Sequence, residues 1–179
     1  GSDNFQFTSL ISDYLCRTGS APDFFEMKTP ANPNAHRRRQ AYLKAMEDFG
    51  EAPHVVSVPG EGWNFEEIGR LGGHATLEDG GFRSDTILCS NDRLAIGLLT
   101  ACYEKGIRVG RGADCAIRVA GMDGHPLSRY TCPPLTTVAH DYEAVSERAV
   151  EALLFSLGAE PRPWSGTRIE GKLLMRDSA

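Results

Sequence analysis

The chain has 179 residues, 41% of them hydrophobic and 24% charged, a composition that gives a globular core of ordinary size. Its formal net charge of -5 excludes this stretch from gripping DNA or an anionic membrane by itself, because phosphate binding needs surplus Lys and Arg. No apolar run reaches the ~20 residues of a membrane span and no leader pattern opens the chain.

Taken in chain order, Leu10, Ile11, Tyr14 and Leu15 have helical spacing and place a helix from Phe5 to Cys16, stopped by Gly19. Phe24 to Met27 reads as a short apolar strand, and the Pro30–Pro33 region as a loop. A helix follows from Asn34 to Phe49, with Tyr42, Ala45, Met46 and Phe49 as its buried stripe and Gly50 as its end. His54 to Val58 is a β-branched strand, Phe65 to Leu71 is helical, and the glycine-rich stretch from Gly72 to Gly81 reads as a loop. Thr86 to Cys89 is a strand. Asn91 or Asp92 then caps a helix with Leu94, Leu98, Ala101 and Cys102 on one face, ending at Gly106. Strands at Ile117–Ala120 and Leu135–Val138 flank the Pro133-Pro134 turn. A helix from Tyr142 to Leu157, with Val145, Ala149, Ala152 and Leu153 inside, leads to a last strand from Ile169 to Met175.

This alternation implies a doubly wound, mostly parallel sheet with helices on both faces, and such sheets bind ligands outside the carboxyl ends of their strands. Lys28, Asn91 and Asp123 follow strands directly, so their polar groups are expected at that edge. Asn91 offers a donor and an acceptor and Asp123 offers lone pairs, which suits the adjacent hydroxyls of a sugar. A plain helix cap for Asn91 and a turn before Gly124 for Asp123 are the competing readings. Arg37-Arg38-Arg39 opens a helix, where three positive charges oppose the dipole; they form either a solvated face or a grip on a hydroxyl-rich or anionic partner. Trp63, in a loop, either stacks on a sugar ring or base or packs onto the core.

Catalytic signatures are absent: there is no G-x-S-x-G elbow, phosphate-binding lysine loop or H-E-x-x-H, and the five histidines have no metal-like spacing. The chain is therefore read as no enzyme, with no cofactor and no metal. Its five cysteines form no C-x-x-C pair and read as buried reduced thiols, which points to the cytoplasm.

Three segments resemble the effector domain of the LacI/GalR transcriptional regulators. Thr86-Ile87-Leu88-Cys89-Ser90-Asn91-Asp92-Arg93-Leu94-Ala95-Ile96-Gly97 is similar to the family's strand, Asn-Asp and helix, and runs on into Gly106-Ile107-Arg108-Val109. Gly121-Met122-Asp123-Gly124, followed by Pro133-Pro134-Leu135-Thr136-Thr137-Val138, is the most specific match. The ending Leu174-Met175-Arg176-Asp177-Ser178 is the third. Asp3-Asn4 and Arg38…Tyr42 also match, and the likeness is weakest from Asn64 to Ser84.

The resemblance implies a two-lobed fold like the type I periplasmic binding proteins, with the effector in an interlobe cleft contacted by Asp3, Arg38, Trp63, Asn91, Asp123 and Tyr142. It further implies that residues 1–18 are the last helix of the N-terminal lobe, 19–136 the C-terminal lobe, 137–166 the return to the N-terminal lobe, and 167–179 the final strand of the C-terminal lobe. The family's helix-turn-helix has no counterpart, so operator DNA is expected to be bound only through such a domain outside this stretch. A homodimer and an allosteric repressor responding to a sugar, a polyol or a purine are implied too. A solute-binding protein of a sugar transport system is the alternative. Departures are Gly124 in place of a second acidic residue, extra residues from Arg111 to Cys115, and Ala41 in place of a usual Gly.

Overall fold

A computed structural model describes residues 3–29, 32–158 and 168–179. Six strands form one sheet in the order β2-β1-β3-β4-β5-β6. These are β1 (Asp23–Met27), β2 (Val55–Val58), β3 (Thr86–Cys89), β4 (Arg118–Asp123), β5 (Thr136–Ala139) and β6 (Lys172–Leu174). The first five are parallel, and β6 runs antiparallel to β5. The doubly wound parallel sheet expected from the alternation of elements is thus observed, with one antiparallel edge.

Helices cover both faces. On one side α1 (Asn4–Thr18) and α2 (Pro33–Phe49) bury Phe7, Ile11, Leu15, Tyr42 and Met46 against Phe24, Leu88, Ala120, Met122 and Val138. On the other, α3 (Phe65–Glu78) and α4 (Asp92–Glu104) bury Phe65, Ile68, Leu94 and Leu98 against Phe25, Ile87, Cys89 and Val119. Successive β-strand side chains alternate between faces, so Phe24 and Phe25 serve opposite cores. By packing, α1 belongs to this sheet.

The helix ends follow from local chemistry. Asp3 Oδ1 accepts the amides of Phe5 and Gln6 at 3.1 and 3.2 Å. Asn32 caps α2 ahead of Pro33, and Gly50 ends it in the left-handed region at φ 70°.

Phe49, expected in the buried stripe of α2, is 37% exposed. Two larger expectations need correction. The stretch from Gly72 onward is no loop, since α3 continues to Glu78. Its glycines are contact points: a Cβ on Gly72 would lie 2.6 Å from Val58 Cβ, and one on Gly69 2.3 Å from the Leu94 carbonyl oxygen. Gly97 on α4 is the reciprocal site, where a Cβ would lie 2.1 Å from the Glu66 carbonyl oxygen. Small residues at these positions let the two helix backbones approach closely, which outweighs the low helix propensity of glycine. The second correction concerns α5 (Tyr142–Ser156), which forms as expected but has no buried residue. Val145 and Ala152 are half-buried, while Ala149 and Leu153 are exposed, because no other described element covers that face.

The carboxyl-terminal segment ties the sheet together. Ser178 Oγ donates to the Val119 carbonyl at 2.6 Å and accepts from the Thr136 amide at 2.8 Å. The Leu135-Thr136-Thr137-Val138 motif and the Arg176-Asp177-Ser178 ending are therefore partners in one hydrogen-bonded junction. Cys89 and Cys102 are buried free thiols, as expected, but Cys132 is exposed, because the loop after the short helix at Pro126–Arg129 leaves it uncovered. No helix among the described residues is long and apolar enough to cross a membrane.

Candidate functional site

At the carboxyl ends of the strands lies a cavity of about 440 Å³. Its polar walls come from α2 (Asn34, Arg37, Arg38), from α4 and its approach (Ser90, Asn91, Arg93), and from Asn4, Asp123 and His140. Met27, Trp63, Phe65 and Leu94 supply apolar surface. Polar groups beside an aromatic wall at this edge are what the parallel sheet leads one to expect.

Arg38 is the organising residue. The triple arginine sorts by helical angle: Arg37 is exposed, Arg38 is 7% exposed, and Arg39 pairs with the buried Glu26 at 2.8 Å. Arg38 Nε donates to Asn4 Oδ1 at 3.0 Å, Nη1 to the Ser90 carbonyl at 2.7 Å, and Nη2 to Asp123 Oδ1. Three donors of one rigid fork are thereby satisfied by α1, the end of β3 and the end of β4.

Asp123 sits at φ 132°, outside the ordinary regions for a side-chain-bearing residue, at the last position of β4. A non-glycine residue is held in such a conformation only when its surroundings over-determine it, and here the Arg38 and His140 contacts do so. Burial pushes its carboxyl pKa up. The hydrogen bond from His140, 3.3 Å away, and the charge and hydrogen bond of Arg38 outweigh that and hold it below the ordinary value. The group is an anion with its strongest partners already in place.

Asn91 has the φ/ψ of a helix cap, and its Oδ1 accepts the Leu94 amide at 2.8 Å. It also lines the cavity, so the two readings of this residue coexist. Its neighbour Asp92 is fully buried. Its oxygens accept from Thr137 Oγ1 and the His125 amide, each at 2.6 Å. Burial raises its pKa to about 6 against the lowering effect of those two hydrogen bonds. Gly121 is required opposite, where a Cβ would stand 2.3 Å from Asp92 Oδ1.

Of the six residues singled out from the sequence, Arg38, Trp63, Asn91 and Asp123 meet around this cavity. Trp63 is 62% exposed and stands edge-on to Phe65 at 5.7 Å, so it is not packed into the core. Asp3 and Tyr142 are not in the cavity lining. Asp3 caps α1 and faces a smaller neighbouring cavity with Arg37 and Arg168. Tyr142 begins α5, with its hydroxyl 3.5 Å from the Asp123 carbonyl and its ring 5.4 Å from that of His140. Sequence reasoning missed Asn4, Arg93 and His140. Asn4 belongs to the matched Asp3-Asn4 pair, but nothing local signals that it orients Arg38. Among the described residues no group of three His, Cys, Asp or Glu side chains is placed to hold a metal.

A parallel α/β sheet with a polar cavity at its carboxyl edge defines a small-molecule-binding domain. The chain belongs to the periplasmic binding protein-like domain family, whose model matches residues 19–179. The resemblance to LacI/GalR regulators is borne out by its relatives. It is similar to the lactose operon repressor of Klebsiella pneumoniae, 36% identical over 97 residues, which cover 54% of this chain and 26% of that protein. It is similar to the probable HTH-type transcriptional repressor ExuR of Bacillus subtilis, 37% identical over 150 residues, covering 81% and 42%. The fold is that of a LacI family transcriptional regulator of Enterococcus faecium solved with bound ribose. The TM-score is 0.79 at 19% identity, covering 99% of this chain and 63% of that one. The chain thus spans about half or less of the length of these curated relatives.

Proposed function

We propose that the chain is the effector-sensing domain of a LacI/GalR-type transcriptional regulator that binds a sugar, a polyol or, as a second class, a purine. The observation that carries this reading is the convergence of Arg38, Asn91 and Asp123 with Trp63 around one cavity at the sheet edge. Asn91 and Asp123 offer groups for adjacent hydroxyls, and an indole covers the apolar face of a sugar ring or stacks on a base. The relatives are named as regulators, which favours a sensor over a transport-type solute binder and over an enzyme.

The output is a population shift. The effector binds one arrangement of two lobes better and so biases the affinity of a homodimer for operator DNA, in the cytoplasm. The lobe division that goes with this reading assigns 19–136 to the C-terminal lobe, 137–166 to the return and 167–179 to its final strand. The packing of α1 supports grouping 1–18 with the C-terminal lobe instead. Part of the return, 159–166, lies outside the described residues. Asp3 and Tyr142 flank the cavity and enter the proposal as contacts made when the lobes close.

A thermal-shift screen of the full-length protein against sugars, polyols and purines tests the reading. A ligand at a hundred times its dissociation constant stabilises by about 2.7 kcal/mol. A hit lost in both Asn91→Ala and Asp123→Ala supports the cavity as the site, and a hit retained in both excludes it.

A further inference from the structure

We infer that the effector bears a negative charge, a carboxylate or a phosphate, which pairs with Arg37 at the rim of the cavity; this rests on the sensor reading above. The lining carries three guanidinium groups, Arg37, Arg38 and Arg93, against one carboxylate, Asp123. Two of the three are already balanced. Arg38 spends its Nε, Nη1 and Nη2 on Asn4, Ser90 and Asp123. Arg93 gives Nε and Nη2 to the two oxygens of Glu66, each at 2.6 Å, and lies 5.3 Å from the centre of the Phe65 ring. Asp123 in turn accepts from Arg38 and His140.

Arg37 alone among these cations has no hydrogen bond or ion pair to a described residue. It also borders the smaller cavity that holds Asp3. That carboxylate is engaged, with Oδ1 on the amides of Phe5 and Gln6 and Oδ2 3.8 Å from Arg168. The site therefore carries one surplus positive charge at its mouth and no unengaged anion. The first turns of α2 and α4 open onto the same space, and their dipoles add to the positive potential there. A neutral polyol satisfies the hydroxyl-binding groups but leaves Arg37 unused. An acid of the same skeleton adds a charge-assisted pair, which guanidinium and carboxylate or phosphate make bidentately.

Isothermal titration of the full-length protein decides the point. The probes are D-glucose, D-galactose and D-ribose, each beside its acid (D-glucuronate, D-galacturonate, D-ribonate) and its terminal phosphate ester. The expected result is one acid or phosphate bound at least about tenfold more tightly than its neutral parent, with the preference removed by Arg37→Gln and weakened by salt. The carboxylate and phosphate arms distinguish the two anions. Because Arg37 is exposed, Arg37→Gln should melt with the wild type, so a loss of affinity is not a loss of fold. A neutral sugar bound as tightly as its acids, or an acid whose affinity survives Arg37→Gln, overturns the inference and leaves the sensor reading standing. Binding of no probe to a folded wild-type protein overturns the inference, and the sensor reading falls with it only if the polyols and purines of the thermal-shift screen also fail to bind.

Discussion

Arg38 in α2 and Asp123 at the end of β4, eighty-five residues apart in sequence, form an ion pair in which Nη2 donates to Oδ1. The Asp123 side chain is 31% exposed while that of Arg38 is 8% exposed, so the pair closes the floor of the cavity with its carboxylate still reaching solvent. Arg38→Met removes the guanidinium that holds α1, β3 and β4 in register. Unfolding in urea should show a loss of about 2–4 kcal/mol, less than for a fully buried pair because Asp123 regains water. A loss under ~0.5 kcal/mol would mean that the cavity floor is held by other contacts.

The close helix contact makes a second prediction. Gly97→Ala places a Cβ against the Glu66 carbonyl and the backbone at Gly69 and Arg70, where nothing can give but the helix axis. It should cost at least ~3 kcal/mol, at the upper end of overpacking. Gly50→Ala meets nothing within 4 Å and bears only the left-handed backbone penalty at φ 70°, about 1 kcal/mol. Melting temperatures of the two variants should fall in that order.

Asp92 gives a pH dependence of definite sign. Its pKa is raised from 3.8 to about 6 on folding, so the folded chain holds that proton more tightly than the unfolded one. Its contribution to stability is then full below about pH 4 and is lost as the pH rises through 6, a change on the order of 3 kcal/mol. Asp123, held below its ordinary value, acts in the opposite sense at lower pH. Asp92→Asn should remove the Asp92 contribution, so the wild-type-minus-variant difference in unfolding free energy should fall between pH 4 and 7. A difference that stays flat would show that Asp92 is solvated.

The exposed face of α5 makes a fourth. Leu153 is 58% and Leu157 72% exposed, so Leu153→Lys and Leu157→Lys together should change stability by less than about 0.5 kcal/mol. A loss above ~1 kcal/mol would reveal an apolar partner for this helix.

Thiol reactivity should divide the cysteines. Burial pushes Cys102 up to about 12 and Cys89 well above its ordinary value, and burial with the nearby Glu51 and Asp13 charges raises Cys16 to about 11. Cys132 is exposed. With an aromatic disulfide reagent Cys132 should label first, and Cys89 and Cys102 only on unfolding. Fast labelling of Cys102 in the native protein would indicate local opening of α4.

The order and type of the elements were legible in the residues. Apolar runs such as Thr86-Ile87-Leu88-Cys89 and helix stops at Gly50 and Gly106 are local signals, because strand and helix periodicity and left-handed glycines are properties of short segments. The parallel sheet, and with it the edge where Arg38, Asn91 and Asp123 meet, follows from that alternation. The tertiary structure alone decided the rest. Consecutive arginines on a helix point about 100° apart, so which one turns inward depends on where α1 and β4 lie. Gly72 and Gly73 read locally as the start of a loop, and with Gly69 and Gly97 they become contact points only when α3 meets α4 and β2. Asn4, His140 and the buried Asp92 take their roles from partners many residues away. Long-range pairing of side chains is set by how elements stack, and no short segment carries it.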